Sequence, residues 1–399
     1  MPGQPAAQRL PRSIWALGVV SLLMDASSEM IHALLPVFVV TVLGASTVTL
    51  GLMEGSAEAI TQIVKIFSGT ISDYFGRRKP LVVLGYAIAA LSKPLFPLAS
   101  SVGWVFAARL LDRSGKGIRG APRDALIADL TTAETRGAAY GLRQALDTVG
   151  AVIGPALAIL LMLLLANNFR AVFWVAVIPA VLCVLVLWFG IQEPESSPRA
   201  ERAPGSSRNP RLRWTEFGQL GAAYWMVVAV GAAMTLARFS EAFLILRAQN
   251  LGLSFAMVPA VMVVMNVVYA GSSYPVGKLA DRYDRYALLT IGFVLLIISD
   301  LVLAAATGPV LLMLGVVLWG LHMGFTQGLL AAMVADNAPA SLRGSAFGLF
   351  YLVSGFAMLA ASAIAGGLWQ WVGPAATFIA GAIFVSLATL GSILLRRRR

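Results

Sequence analysis

From residue 14 to residue 395 the chain is a series of apolar runs, each about as long as a bilayer is thick, with short polar turns between them. The runs fall at about 14–42, 48–71, 81–100, 103–128, 137–165, 171–190, 216–246, 253–277, 287–306, 309–334, 344–368 and 372–395. Since about 20 mostly apolar residues carry a helix across the hydrocarbon core, the expectation is an all-α membrane protein of twelve transmembrane helices. A composition with 58% hydrophobic and 12% charged residues lies far from that of soluble domains and leaves no room for one. The first run is too long for a secretory signal and lacks its small-residue cleavage site, so it is read as a retained helix.

The net charge of +11 has the size of a nucleic-acid footprint, but its distribution gives a different meaning. With the N-terminus inside, cytoplasmic segments hold Arg9, Arg12, Arg77, Arg78, Lys79, Arg136, five arginines between 199 and 213, Lys278, Arg282, Arg285, Arg343 and Arg396 to Arg399. Outer loops hold only Arg170 and Arg247. This is the positive-inside pattern: both termini are expected in the cytoplasm, the excess meets anionic lipid, and nucleic acid is excluded as a partner. A multi-pass protein of a bacterial inner membrane is implied. Cys183, the single cysteine, offers neither a disulfide nor a metal cluster, and no cofactor is expected.

One stretch breaks the pattern. Residues 192–213, "QEPESSPRAERAPGSSRNPRLR", are rich in Pro, Ser and Arg and read as a linker, dividing the chain into 1–190, a cytoplasmic segment 191–215, and 216–399. The outer parts repeat one another. "LGAS" at 43–46 returns as "LGLS" at 251–254, and Gly69, Asp73 and Arg77 return as Gly277, Asp281 and Arg285, all at an offset of 208. "ADLTTAETRGAAYGL" at 128–142 returns as "ADNAPASLRGSAFGL" at 335–349, so that Asp129 and Arg136 correspond to Asp336 and Arg343. Two pseudo-symmetric six-helix bundles follow, in the parallel arrangement that places a site at the midplane between halves.

The loop "GTISDYFGRRKPL" at 69–81 resembles the signature between helices two and three of the major facilitator superfamily, with Gly69, Asp73, Gly76, Arg77 and Arg78 in place. Arg109, followed by Asp129, is similar to the helix-four pattern of that family, with Arg113 where glycine is usual. Gly141, Gly150, Gly154 and Pro155 resemble the helix-five Gly-Pro signature of its antiporter branch, with Ala158 and Ile159 where a glycine pair is usual. Those glycines equally suit plain tight packing. The resemblance implies a secondary transporter whose recurring charges Asp73, Arg77, Asp129, Arg136, Asp281, Arg285, Asp336 and Arg343 form a cytoplasmic gate. Simple positive-inside anchoring is the other reading of that end.

Helix four poses the sharper question. Arg109, Arg113, Lys116, Arg119 and Arg123 share one helical face, with Asp112 among them and Asp124 near its edge. Shifted by 207, they fall on Val316, Gly320, Met323, Thr326 and Leu330, so the fold does not require them. Such a face does not point at lipid, where each charge costs from a few to more than about ten kcal/mol. Candidate partners are Asp25, Glu29 and His32 in helix one, Glu54, Glu58 and Lys65 in helix two, Lys93, and Arg143 and Asp147 in helix five. Two readings stand: a mutually paired network holding the N-terminal bundle together, or carboxylates that move protons beside cations that meet an anionic cargo. Burial favours the neutral acid and a neighbouring cation the carboxylate, so an acid leaving Arg109 in one conformer takes up a proton.

Asp25, Glu29 and Glu58 with Arg109 are therefore the proton-coupling candidates. His32, Glu54, Arg109, Arg113, Lys116, Arg143, Asp147, Arg238, Glu241, Asn266 and His322 are the substrate-binding candidates. Arg238 and Glu241 equally satisfy each other, and His32 is either a pH sensor or simply hydrogen-bonded. The expected activity is proton-coupled movement of a small anionic or zwitterionic organic solute by alternating access, outward in direction, by a monomer whose partners are substrate, protons and the bilayer. An importer of a metal or metal chelate is the alternative, prompted by Met257, Met262, Met265 and Met323 near His322, although methionine is a common packing residue. A non-transporting sensor or a membrane-embedded enzyme is the rival from another class; no nucleophile–base set, phosphate loop or metal-ligand spacing supports an enzyme.

Overall fold

The computed structural model describes residues 10–75, 77–191, 220–280, 282–339 and 342–396. Nearly all of the expected linker, Gly76 and Asp281, and the side chains of Asp73 and Arg343, lie outside the described set. Twelve helical rods run through it: α1 (Arg12–Val42), α2 (Thr47–Phe75), α3 (Lys79–Leu98), α4 (Val102–Asp129), α5 (Ala133–Leu164), α6 (Phe169–Gly190), α7 (Ala222–Asn250), α8 (Ala260–Ala280), α9 (Arg285–Ala305), α10 (Pro309–Asn337), α11 (Arg343–Trp371) and α12 (Pro374–Arg396).

Three rods are interrupted. In α1 the regular helix ends at His32 and resumes at Leu35, because Pro36 lacks an N–H and its ring crowds the preceding turn; Phe38–Val42 continues as a π-turn. Pro94 breaks α3 in the same way, between Ser92 and Leu95. α7 breaks between Ala237 and Ala242 without a proline, and Arg238 and Glu241 sit in the gap. Side-chain caps start several rods: Ser101 accepts from Trp104 N, Asn168 from Ala171 N and Asp284 from Tyr286 N. The first sequence repeat has a backbone cause. Gly44 and Gly252 end the outer turns after α1 and α7 at φ of 71° and 88°, where glycine alone is unstrained.

α1 packs on α5 and α6, and α4 on α2 and α3; α7 packs on α11 and α12, α10 on α8 and α9, and α9 on α12. Each set forms a six-helix bundle. The bundles meet through α2 against α11 and α5 against α8. The first seam is the tighter: a Cβ on Gly55 would stand 2.8 Å from Leu359 Cα, and Thr47 Oγ1 donates to the Gly366 carbonyl at 3.0 Å.

The core is not shared evenly. Met30, Leu34, Phe38, Met53, Phe96 and Phe169, from the outer part of the N-terminal bundle, join one apolar cluster with the C-terminal bundle. The cytoplasmic part, including Leu17, Val20, Tyr86, Leu126, Cys183 and Leu187, has a cluster of its own. The outer ends of α1 and α7 pack together as well. The molecule is thus welded at its outer face and split toward the cytoplasm, an inward-facing form.

Candidate functional site

Where the seams part, a cavity of about 520 Å³ lies between the bundles. Its N-terminal wall is charged: Glu29, His32, Glu54, Glu58, Gln62, Arg113 and Lys116. Its C-terminal wall is softer, with Met234, Met323, Met358, Phe350 and Tyr351 around Arg238, Glu241 and Gln327. A large concave site with a few convergent polar groups is the usual form of a small-molecule site.

Behind the charged wall the helix-four face is almost wholly paired. Arg109, 1% exposed, grips Glu54 of α2 with both arms, Nε to Oε1 at 3.1 Å and Nη2 to Oε2 at 2.7 Å. Such a two-pronged pair fixes direction as well as charge. His32 bridges two acids, with Nδ1 3.3 Å from Glu29 and Nε2 3.6 Å from Glu54. Lys93, at the break in α3, donates to Asp112 at 2.7 Å and to Ser28 at 2.8 Å. Arg119 lies 3.9 Å from Asp25 and over the Tyr86 ring. Arg123 and Arg143 share Asp124 and Asp147, the closest contact being Arg143 to Asp147 at 2.8 Å.

Asp25, Glu29, Glu54, Glu58, Asp112, Asp124 and Asp147 thus each have a basic side chain within 4.0 Å, but not every cation has an acid. Lys116 is exposed in the cavity wall and makes no ion pair among the described residues. Lys65 rests on the Tyr351 ring of the other bundle, 4.6 Å from its centre. Arg113 is only loosely held, 4.0 Å from Glu58, whose other bond is to Gln62 at 2.8 Å. Lys116, which has no acid partner among the described residues, therefore places its charge in the cavity wall.

Several expected substrate contacts stand elsewhere. Arg109 is shut behind Glu54; Arg143 and Asp147 are occupied with each other; none lines the cavity. Asn266 is used at the seam between bundles, donating to the Ala151 carbonyl of α5 at 3.0 Å. His322 is fully buried inside the C-terminal bundle, its Nδ1 3.2 Å from the Gly292 carbonyl. Met262 and Met265 belong to the core. Asp25 is paired behind the wall, whereas Glu29 and Glu58 line it. Sequence reading noted Gln327 as a polar group of helix ten without assigning it to the site, and missed Tyr351. With its amide turned to satisfy both neighbours, Gln327 accepts from Arg238 Nη1 at 2.7 Å and donates to Tyr269 at 3.2 Å. Arg238 also holds Glu241 at 3.2 Å.

The helix-five glycines act at one place. A Cβ on Gly150 would stand 2.6 Å from the Leu22 carbonyl oxygen and 3.1 Å from Asp25 Cβ; one on Gly154 would stand 2.7 Å from the Ala26 oxygen and 2.9 Å from Glu29 Cβ. They seat α1 on α5 where it carries the two acids. Gly141 meets nothing within 4 Å, and Pro155 lies within the helix.

At the cytoplasmic end the charges of the described residues clasp within each bundle, not between bundles. Arg78 Nε meets Asp129 at 2.5 Å, and Arg285 pairs with Asp336. These pairs are equivalents at an offset of 207, so Arg78, not Arg77, is the counterpart of Arg285. Arg77 is exposed, and Arg136 donates to the Ala128 carbonyl at 3.4 Å. Each clasp ties the start of the third helix of a bundle to the end of its fourth; of the expected gate, Asp281 and the side chains of Asp73 and Arg343 lie outside the described residues.

Two six-helix bundles around a midplane cavity closed on one side define a transporter that works by moving its halves. The Major Facilitator Superfamily model matches residues 17–244 and 226–399, and the chain belongs to that family. An uncharacterized MFS-type transporter of Methanocaldococcus jannaschii is 33% identical over 96% of this chain and 94% of its own length. The multidrug resistance protein MdtH of Photorhabdus laumondii is 29% identical over 46% of this chain and 44% of its own. The crystal structure of a bacterial homolog of the human lysosomal transporter Spinster, inward-facing and unoccupied, superposes with a TM-score of 0.77 at 16% identity, covering 98% of each chain. The protein is a multi-pass secondary transporter, not an enzyme.

Proposed function

We propose that the protein exports a small anionic or zwitterionic organic solute from the cytoplasm in exchange for protons, by alternating access, and acts in a bacterial inner membrane. One observation carries this reading: of the five cations of the helix-four face, Arg113 and Lys116 are the two that line the cavity, and Lys116 makes no ion pair among the described residues. Their charge attracts an acidic group, and the methionine and aromatic wall opposite receives an apolar body. The likeness to a multidrug resistance protein and the helix-five glycines support the outward direction.

Proton exchange is carried by Asp25, Glu29 and Glu58 in this reading. Glu29 and Glu58 line the cavity near Arg113 and Lys116. An acid that parts from its cation as the halves rock outward takes up a proton, and one that meets its cation again in the inward-facing form releases it, so that protons enter as cargo leaves. A thermal-shift panel of carboxylates, phosphates and zwitterions on the detergent-solubilised protein at two pH values identifies ligands. A true cargo stabilises the protein by an amount that changes with pH. No pH-dependent ligand among acidic compounds, with stabilisation by cations instead, overturns the assignment.

A further inference from the structure

Advancing 207 residues carries α3 and α4 onto α9 and α10. Gly85, seated against the backbone of Arg119, becomes Gly292, seated against Thr326. The buried pair Lys93 and Asp112 becomes Asp300 and Trp319. The first pair is satisfied at 2.7 Å. Asp300 and Trp319 are both fully buried, yet neither the two carboxyl oxygens of Asp300 nor Nε1 of Trp319 has a hydrogen-bond partner among the described residues.

Asp300 stands outside the cavity, against α12 and the break in α7. A Cβ on Gly381 would lie 2.5 Å from Asp300 Oδ2 and 3.2 Å from the carbonyl oxygen of Ala237, the residue at which the regular part of α7 ends. The charged and titratable groups on the elements around it are few. α10 brings His322, whose Nε2 also lacks a partner among the described residues, and Asp336 at its far end, paired with Arg285. α7 brings Arg238 and Glu241, which hold each other, Arg247, which caps the carbonyls of Leu303, Ala304 and Ala306, and Tyr224, which donates to the Ala346 carbonyl. On α12 none occurs from Pro374 to Leu390, and α9 itself adds only Arg285 and Tyr286 at its far end. None of these forms an ion pair or hydrogen bond with the Asp300 carboxyl.

An isolated carboxylate in such surroundings is heavily penalised, and proteins relieve that penalty by pairing the charge or by neutralising it. No such pair forms at Asp300 among the described residues. We propose that Asp300 is a proton-binding acid of the C-terminal bundle, neutral while the outer face is closed, and that only this neutral form tolerates α7 packed over it in the broken form seen here. When α7 moves away from α9 and α12, the carboxyl O–H bond breaks and the proton passes to an entering water molecule. The carboxylate left behind is then met by water and by the Trp319 N–H, which occupies the Asp112 position of the repeat. The proposal goes beyond the cavity and stands whether or not Asp25 and Glu29 carry exchanged protons.

Infrared difference spectroscopy of the full chain in lipid nanodiscs, between acid and alkaline buffer and with no substrate added, tests it. A carboxylic-acid C=O band that is lost in alkali is expected in the wild type and in Asp25→Asn/Glu29→Gln, and expected to be missing in Asp300→Asn. Spin labels at Thr41→Cys and Gln249→Cys, in a Cys183→Ser background, report the outer gap. That distance is expected to lengthen with rising pH when Asp300 is present and to be independent of pH in Asp300→Asn. An unchanged band in Asp300→Asn, an outer distance with the same pH response in both proteins, or a response to sodium ions in place of protons overturns the proposal. Should Asp300→Asn fail to fold, Gly381→Ala serves, since its methyl group presses on Oδ2: a shifted band is expected, and an unmoved one overturns the assignment.

Discussion

α4 and α10 hold equivalent places in their bundles, 207 residues apart, yet α4 carries Arg109, Asp112, Arg113, Lys116, Arg119 and Arg123 where α10 carries Val316, Trp319, Gly320, Met323, Thr326 and Leu330. The second helix is held by ring contacts, with Phe239 packed on both Trp319 and Phe378. The first is held by ion pairs to α1, α2 and α3. One backbone plan is thus stabilised in two ways. Buried ion pairs do little for net stability compared with well-packed apolar groups, so their concentration in one half calls for a reason other than folding.

Separating the two halves of a pair is the strongest way to break this comparison. Arg109→Met leaves the Glu54 carboxylate buried with His32 as its remaining partner, and is expected to cost about 3–5 kcal/mol of stability, the usual penalty for breaking a buried pair. The double change Arg109→Met/Glu54→Leu should recover most of that loss in thermal unfolding, because Val316 shows that the matching site accepts an apolar side chain. A double variant as unstable as the single one would mean that the N-terminal bundle depends on the charges for its fold.

Next in size is Gly154→Ala. The added methyl would stand 2.7 Å from the Ala26 oxygen, so α1 must shift away from α5, at about 1–3 kcal/mol for overpacking. Transport should fall further than stability, since the displaced turn carries Glu29. The matched change Gly141→Ala has open space and should be silent in both assays.

Lys116→Ala sharpens the comparison from the other side. Unpaired and exposed, Lys116 should change stability by no more than about 0.5 kcal/mol. Its loss should nonetheless weaken binding of an acidic cargo about tenfold, or about 1.4 kcal/mol, in a titration followed by tryptophan fluorescence. The smallest effect is expected at the clasps. Arg285→Ala and Arg78→Ala remove partly exposed pairs and should each cost about 1 kcal/mol or less, with similar values because the two sites are equivalents.

The twelve helices are legible in the chain because apolar runs of membrane length leave little choice. Even so, α2 and α4 are not among the nine helices that length and apolarity mark as spans among the described residues, and they are the two that carry Glu54, Glu58 and Arg109 to Arg123. Their charge hides the crossing. The shared face of α4 was legible from spacing alone, but its partners were not, because Lys93 reaches Asp112 and Arg109 reaches Glu54 across helices that no local pattern joins. The cytoplasmic clasp was legible only within one residue: an offset of 208 pairs Arg77 with Arg285, whereas the geometry pairs Arg78 with it. The break in α7 lacks the proline that announces those in α1 and α3, so the placing of Arg238 and Glu241 had no signal in the sequence.

Proton flux measured inside proteoliposomes with a pH-sensitive dye, on addition of an acidic compound that stabilises the protein in the thermal-shift panel, tests the role of the N-terminal charges most directly. Rapid, substrate-dependent proton movement is predicted for the wild type, with cargo still bound but no proton movement in Asp25→Asn/Glu29→Gln. Equal proton flux in that variant, or cargo movement in the wild type without protons, would contradict the account.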